Sequence, residues 1–206
     1  MYRLLQLTVG PLVRLVWRLR VEGAERLPAG GVVVAANHES VLDPLIVGAA
    51  LPRHLHFLAK EELWRSRLLG RLLDACGAIP VARGRGDRQA VAAGVRALAA
   101  GHAVAVFPQG TALPHRSRPW LRGAARLAIA TGAPVLPVAI VNSERAIRPH
   151  RVRIGFPRIL VLVGEPIAVA PGKATVASSR ELTQRVEAAV ETLRAPHGDP
   201  AHAWID

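Results

Sequence analysis

Four short runs of uninterrupted apolar residues recur along this 206-residue chain: GVVVAA at 31–36, AVAVF at 103–107, PVLPVAIV at 134–141 and ILVLV at 159–163. None of them alternates with polar residues. Each therefore needs cover on both faces, which is the pattern of strands inside a sheet layered by helices. Residues 54–59 and 77–82 read as two further strands. Helical stretches fall between the strands, at about 44–51, 66–75, 87–100, 118–131 and 178–194. Strands alternating with helices predict an α/β fold: a single domain with a mostly buried mixed sheet flanked by helices, plus an N-terminal amphipathic helix. The division expected is 1–22 for that basic helix, 23–195 for the α/β domain and 196–206 for a tail. No internal repeat or low-complexity linker interrupts it.

The chain carries a formal net charge of +12 although half of its residues are hydrophobic. A phosphate-bearing partner, nucleic acid or an anionic membrane, answers such a charge. All but two of the 27 basic residues are arginine, whose planar fork grips phosphate through two hydrogen bonds. An Ala-, Gly- and Arg-rich chain is also what a GC-rich coding sequence produces, so part of the charge needs no partner. Aromatic residues are only 4%, too few for a platform on which single-stranded bases stack. One cysteine, Cys76, rules out a disulfide framework and a Cys-based zinc site. No segment reaches the ~18 apolar residues of a membrane span. The first twenty residues come nearest, with Arg3, Arg14, Arg18 and Arg20 set among leucines, valines and Trp17. That is the pattern of a helix lying in a membrane interface, and equally of a first helix packed on its own domain.

Chemistry is best sought after the first buried run, in Asn37-His38-Glu39-Ser40-Val41-Leu42-Asp43-Pro44. A histidine at the carboxyl end of a strand stands where open α/β sheets bind ligands. Asp43, just before Pro44, can start a helix and turn its carboxylate back to the imidazole. A carboxylate on one ring nitrogen fixes the tautomer and leaves the other free to accept a proton. With no protein nucleophile beside them, the pair would act on a hydroxyl of the substrate. The plainer reading makes Asp43 a helix cap that needs no histidine. Nucleophile-elbow, phosphate-loop and zinc-helix motifs are absent, and the Gly84-Arg85-Gly86 start of a dinucleotide fingerprint is not completed.

Three later segments give the pair its context: Gly77-Ala78-Ile79-Pro80-Val81-Ala82-Arg83, Phe107-Pro108-Gln109-Gly110-Thr111, and Val135-Leu136-Pro137-Val138-Ala139. In this order the blocks resemble those of the glycerophospholipid acyltransferase family, N-H-x-x-x-x-D, G-x-x-x-x-x-R, F-P-E-G-T-R-S and an apolar block around proline. The resemblance spans about residues 32–141. It implies that His38 is the general base and Asp43 its orienting partner, with Asn37 among the substrate-binding residues. It further implies that Arg83 binds the acceptor's phosphate, that Gln109, Gly110 and Thr111 line the acceptor site, that Arg122 is the basic residue before the next helix, and that Pro137 shapes the acyl-donor side. The chain departs from the third block at Gln109, where the family has Glu, and at Ala112-Leu113, where it has Arg-Ser.

From the resemblance follows an O-acyltransferase that takes a fatty acyl group from an acyl-CoA or acyl-carrier-protein thioester. The acceptor would be a hydroxyl of lysophosphatidic acid or a related glycerolipid, with no metal or other cofactor. The expected surroundings are an anionic membrane surface, the protein being peripheral or monotopic on the cytoplasmic face, and no nucleic acid. The altered third block keeps a different acceptor, such as a lyso-aminolipid, in view. A non-catalytic basic module binding nucleic acid or membrane is the remaining alternative.

Overall fold

The computed structural model describes residues 2–81, 88–110, 119–147 and 154–197. Its elements follow in chain order: α1 (Tyr2–Val16), β1 (Arg20–Glu22), β2 (Val32–Ala36), α2 (Asp43–Ala50), β3 (Leu55–Lys60), α3 (Arg67–Ala75), β4 (Ile79–Val81), α4 (Arg88–Ala99), β5 (Ala103–Val106), α5 (Gly123–Thr131), β6 (Val135–Val141), β7 (Leu160–Val163) and α6 (Val176–Arg194). All seven strands join one sheet in the order β1-β7-β6-β2-β5-β3-β4. Neighbours run parallel except β6 and β7, which are antiparallel, so the sheet is mixed, as expected.

The unbroken apolar runs are the central strands. Every residue of β2, β5 and β6 is buried. Val33 and Ala35 of β2, Val104 and Val106 of β5, and Val135 and Ala139 of β6 face the layer of α4, α5 and α6. Val32, Val34, Ala36, Ala103, Ala105, Leu136 and Val138 face the other way, against Ile46, Val47 and Ala50 of α2. Burying one Val contributes about 1.5–3 kcal/mol. A one-residue slip of β2 would exchange its two faces, so the register is tightly specified.

Helix ends are closed by local chemistry. The α5 helix stops at Gly132, whose φ of +71° continues the chain in a conformation that suits glycine. At the start of α6, the Thr175 hydroxyl accepts the Ser178 N–H while the Ser178 hydroxyl accepts the Thr175 N–H.

The amino-terminal stretch departs from the expected single helix over 1–22. The α1 helix ends at Val16, and Arg20–Glu22 forms an edge strand paired with β7. The Trp17 carbonyl accepts from the Ile159 N–H and the Arg20 N–H bonds the Ile159 carbonyl, which fixes that pairing. Arg14, though exposed, is tied to the domain. Its guanidinium donates to the Ala49 and Ala50 carbonyls at 3.0 and 3.4 Å, where α2 has run out of partners for them. No helix among the described residues is long and apolar enough to cross a membrane.

Two adjacent strands send the chain in opposite directions. From β2 it passes through α2 to β3, on the far side of β5. From β5 it passes through α5 to β6, on the far side of β2. The loops after β2 and β5 therefore part and leave a crevice at the carboxyl edge of the sheet.

Candidate active site

Both loops at that crevice carry the residues singled out in the sequence. After β2, Asn37 is fully buried, and both ends of its amide bond the backbone of Ile140: Nδ2 donates to the carbonyl at 2.9 Å and Oδ1 accepts the N–H at 2.7 Å. Asn37 thus fastens the end of β2 to β6. It has no exposed surface.

The turn then folds back on itself. The Asp43 N–H bonds the Ser40 carbonyl, and α2 begins at Asp43 with Pro44 behind it. Pro lacks an N–H that α2 could not have used in its first turn, so it costs nothing there. The buried Asp43 carboxylate does not cap α2. Its Oδ2 receives the Glu39 N–H at 2.7 Å and the Ser40 N–H at 2.8 Å, and lies 2.9 Å from His38 Nδ1. The cap reading of Asp43 is therefore replaced by a carboxylate that organises the turn before the helix. With a carboxylate as acceptor, Nδ1 carries the proton and Nε2 is the basic nitrogen. The His38 side chain is 15% exposed. Phe107, leaving β5, stacks on its imidazole with ring centroids 4.4 Å apart, and Phe57 of β3 stacks behind Phe107. The sequence quoted Phe107 only as part of a block; its role as a wall for the imidazole needed the adjacency of β2 and β5.

The third block meets the first directly. The Gln109 amide oxygen accepts the His38 backbone N–H. A turn closed by the Gly110 N–H and the Phe107 carbonyl places it there, and Gly110 takes a φ of +73°. Thr111, Arg83 and the Ala112-Leu113 departure lie outside the described residues. Arg122 stands half-buried ahead of α5 and does not cap it through its side chain. Pro137 is buried within β6; its carbonyl accepts from the Gly164 N–H, and its ring lies where a Gly164 side chain would go. It is a packing residue between β6 and the segment after β7, and the structure does not bring it to His38.

Charged residues absent from the sequence reading lie behind the turn. Glu39 is buried and meets Arg194, the last residue of α6, at 2.6 Å. Burial pushes the Glu39 carboxyl up to about 7, against the pull of Arg194. Glu144, just after β6, is also buried, and burial raises its carboxyl as well. A glutamate between the motif's two residues was the only signal in the sequence, and it names no partner. The other described histidines stand elsewhere. The rings of His54, His56 and His102 meet at a tilt at the amino ends of β3 and β5, with centroids 4.6 and 4.8 Å apart. The first two donate to the carbonyls of Cys76 and Gly77 at 2.8 Å.

Comparison with known proteins adds to this geometry. The profile of the Acyltransferase family matches residues 18–141. The 1-acyl-sn-glycerol-3-phosphate acyltransferase of Bacillus subtilis is 29% identical over 177 residues, covering 82% of this chain and 86% of that protein. Its namesake in Borreliella burgdorferi is 32% identical over 132 residues, covering 62% of this chain. The sheep 1-acyl-sn-glycerol-3-phosphate acyltransferase alpha is 35% identical over a stretch of the same length. The chain spans about half the length of these last two, 52% and 46%. In fold, it matches the crystal structure of the 1-acyl-sn-glycerophosphate (LPA) acyltransferase of Thermotoga maritima with a TM-score of 0.72 at 24% identity, over 95% of this chain and 83% of that one.

Proposed function

We propose, from the premise that this chain belongs to the acyltransferase family, that it acylates the free hydroxyl of 1-acylglycerol-3-phosphate or a closely related lysolipid. The donor is a fatty acyl thioester of coenzyme A or of acyl-carrier protein. The observation that carries the reading is the His38–Asp43 pair at the sheet's carboxyl edge, with Nδ1 on the carboxylate and Nε2 basic.

Chemistry at that pair runs as follows. His38 Nε2 takes the proton of the acceptor hydroxyl as its oxygen attacks the thioester carbonyl carbon. Asp43 stabilises the imidazolium, held in place by the Glu39 and Ser40 amides. The tetrahedral intermediate collapses with cleavage of the C–S bond. The departing thiolate then takes the proton back from His38, giving an ester and a free thiol. Phe107 keeps the imidazole plane fixed and shields one face from water. In this scheme Arg83, which lies outside the described residues, binds the acceptor's phosphate.

Contact with an anionic lipid surface belongs to the same reading. Leu12 and Leu15 of α1 are 58% and 76% exposed, with Arg18 and Arg20 exposed nearby. Apolar side chains beside arginines suit a peripheral hold on anionic lipid.

The reading is tested with purified protein, lysophosphatidic acid and a panel of acyl thioesters, by mass spectrometry of the product. Phosphatidic acid formed by the unaltered chain and lost in His38→Ala supports it. Turnover undiminished in His38→Ala sinks the mechanism. Turnover confined to a lyso-aminolipid would move the acceptor and keep the chemistry.

A further inference from the structure

Behind His38 and Asp43 lies a second layer of charge that the transfer step does not use. Glu39 is 6% exposed, and its carboxylate pairs with the Arg194 guanidinium at 2.6 Å. Arg194, 11% exposed at its side chain, also meets Glu191 at 3.1 Å. Glu144 is 1% exposed, Arg145 approaches it at 3.5 Å, and its Oε2 has no partner among the described residues. Asp43 completes three buried carboxylates close enough to feel one another. The half-buried Arg194 guanidinium pairs with Glu39 and pulls against the effect of burial on both Glu39 and Glu144.

Glu39 has two ends with different duties. Its side chain holds Arg194, while its backbone N–H donates to the very oxygen of Asp43 that faces His38. A shift of the side chain therefore reaches the pair through one residue's backbone. The groups facing the Glu39 carboxyl oppose one another. Burial raises it most, Arg194 lowers it, Glu144 and Asp43 raise it, and a hydrogen bond from Asn37 lowers it.

Resting on the acyl-transfer reading of the site, we propose that Arg194 is a positioning residue for the reaction. By pairing with Glu39 it holds the turn over residues 38–43 closed on Asp43 and keeps a second negative charge from acting there unbalanced. The last residue of α6 thereby governs a histidine at the far end of the sequence. Removing one partner of a buried pair leaves the other charge uncompensated, whereas removing both removes the conflict. Without Arg194 the Glu39 carboxylate turns toward water, drawing its amide from Asp43, or it takes up a proton. Both outcomes alter the hold on His38.

A double-mutant cycle tests this, using the full chain with 1-acylglycerol-3-phosphate and an acyl-CoA, from pH 5.5 to 9, and a melting curve for each variant. Arg194→Met is expected to lower kcat about tenfold, a loss of ~1.4 kcal/mol in transition-state stabilisation, with each KM within about twofold. Arg194→Lys keeps most of kcat. In a Glu39→Gln background, Arg194→Met causes no further loss. The Glu39 inflection in the kcat–pH profile moves upward in Arg194→Met, because a lowering cause is gone, and vanishes in both Glu39→Gln variants. Wild-type kcat and profile in Arg194→Met would overturn the proposal. So would an equal loss in Arg194→Met and Arg194→Lys, or a loss that Glu39→Gln does not absorb. Should Arg194→Met fail to fold, Glu39→Gln against the double variant decides, since equal kcat supports the coupling and unequal kcat overturns it. No turnover by the unaltered chain would remove the acyl-transfer reading and this inference with it; turnover with an unaffected Arg194→Met removes this inference alone.

Discussion

The Gln109 amide oxygen accepts the backbone N–H of His38, so the loop after β5 holds the loop after β2. That contact joins the two loops at the backbone of the residue that carries the imidazole. It uses an acceptor oxygen, which Gln and Glu both possess; they differ in charge and in the amide's two donors.

Gln109→Ala, which removes the acceptor, is expected to cost about 1 kcal/mol, or roughly fivefold in kcat. Gln109→Glu restores an oxygen and stays within about twofold of wild type. Initial rates on lysophosphatidic acid decide it; Gln109→Ala at the wild-type rate would show that the contact does not position His38.

At the pair itself, His38→Ala should reduce kcat by about 10²–10⁴-fold while leaving the melting temperature within a few degrees. Asp43→Asn should also lower kcat by at least tenfold. It further loosens the turn, because a neutral amide oxygen accepts the Glu39 and Ser40 N–H groups more weakly than a carboxylate does. Equal activity of Asp43→Asn and wild type would refute the orienting role.

Glu39 makes stability depend on pH in a direction that can be stated in advance. Its folded-state value of about 7 lies above the ordinary 4.5, so the folded protein holds this proton more tightly than the unfolded chain. The contribution is full below the ordinary value and is lost as pH rises through about 7. Urea unfolding of wild type and Glu39→Gln should therefore diverge between pH 5 and pH 8. Wild type should lose up to about 3 kcal/mol relative to the variant. Parallel curves would mean that Glu39 is charged, or neutral, throughout.

Arginines of the amino-terminal segment should separate by role. Arg14→Ala loses its bonds to the Ala49 and Ala50 carbonyls and should destabilise the fold by about 1–2 kcal/mol. Paired Arg18→Ala and Arg20→Ala changes should leave stability nearly unchanged and weaken co-sedimentation with anionic vesicles, most strongly at low salt. Vesicle binding that follows Arg14 instead would reverse the assignment.

Much of the fold could be read from particular residues. The runs around Val33, Val104, Leu136 and Val161 are apolar without a break because helices or neighbouring segments cover both faces, and each is a strand. Gly132 and Pro44 mark helix limits by their backbone preferences. The β1 strand escaped because Arg20-Val21-Glu22 is short and mostly polar; only its ladder to β7 makes it a strand. At the site, the spacing of His38 and Asp43 already allowed their contact. The hydrogen bonds of Asn37 to Ile140 and the packing of Pro137 on Gly164 were not legible, because a motif gives a residue's type and not the direction it faces. The Glu39–Arg194 pair could not be foreseen at all, since it depends on where α6 ends relative to the loop after β2.

Among the described residues β1 pairs with β7 alone, with Arg20 opposite Leu160. A ribosome releases these strands in the opposite order to their need, since chains emerge amino end first at about 5–20 residues per second. For several seconds after Glu22 has left the exit tunnel, the strand it belongs to has nothing to pair with. During that interval Leu12, Leu15 and the neighbouring arginines are free of the edge that later fixes them. A nascent chain made beside a membrane would therefore meet lipid before β1 meets its partner strand.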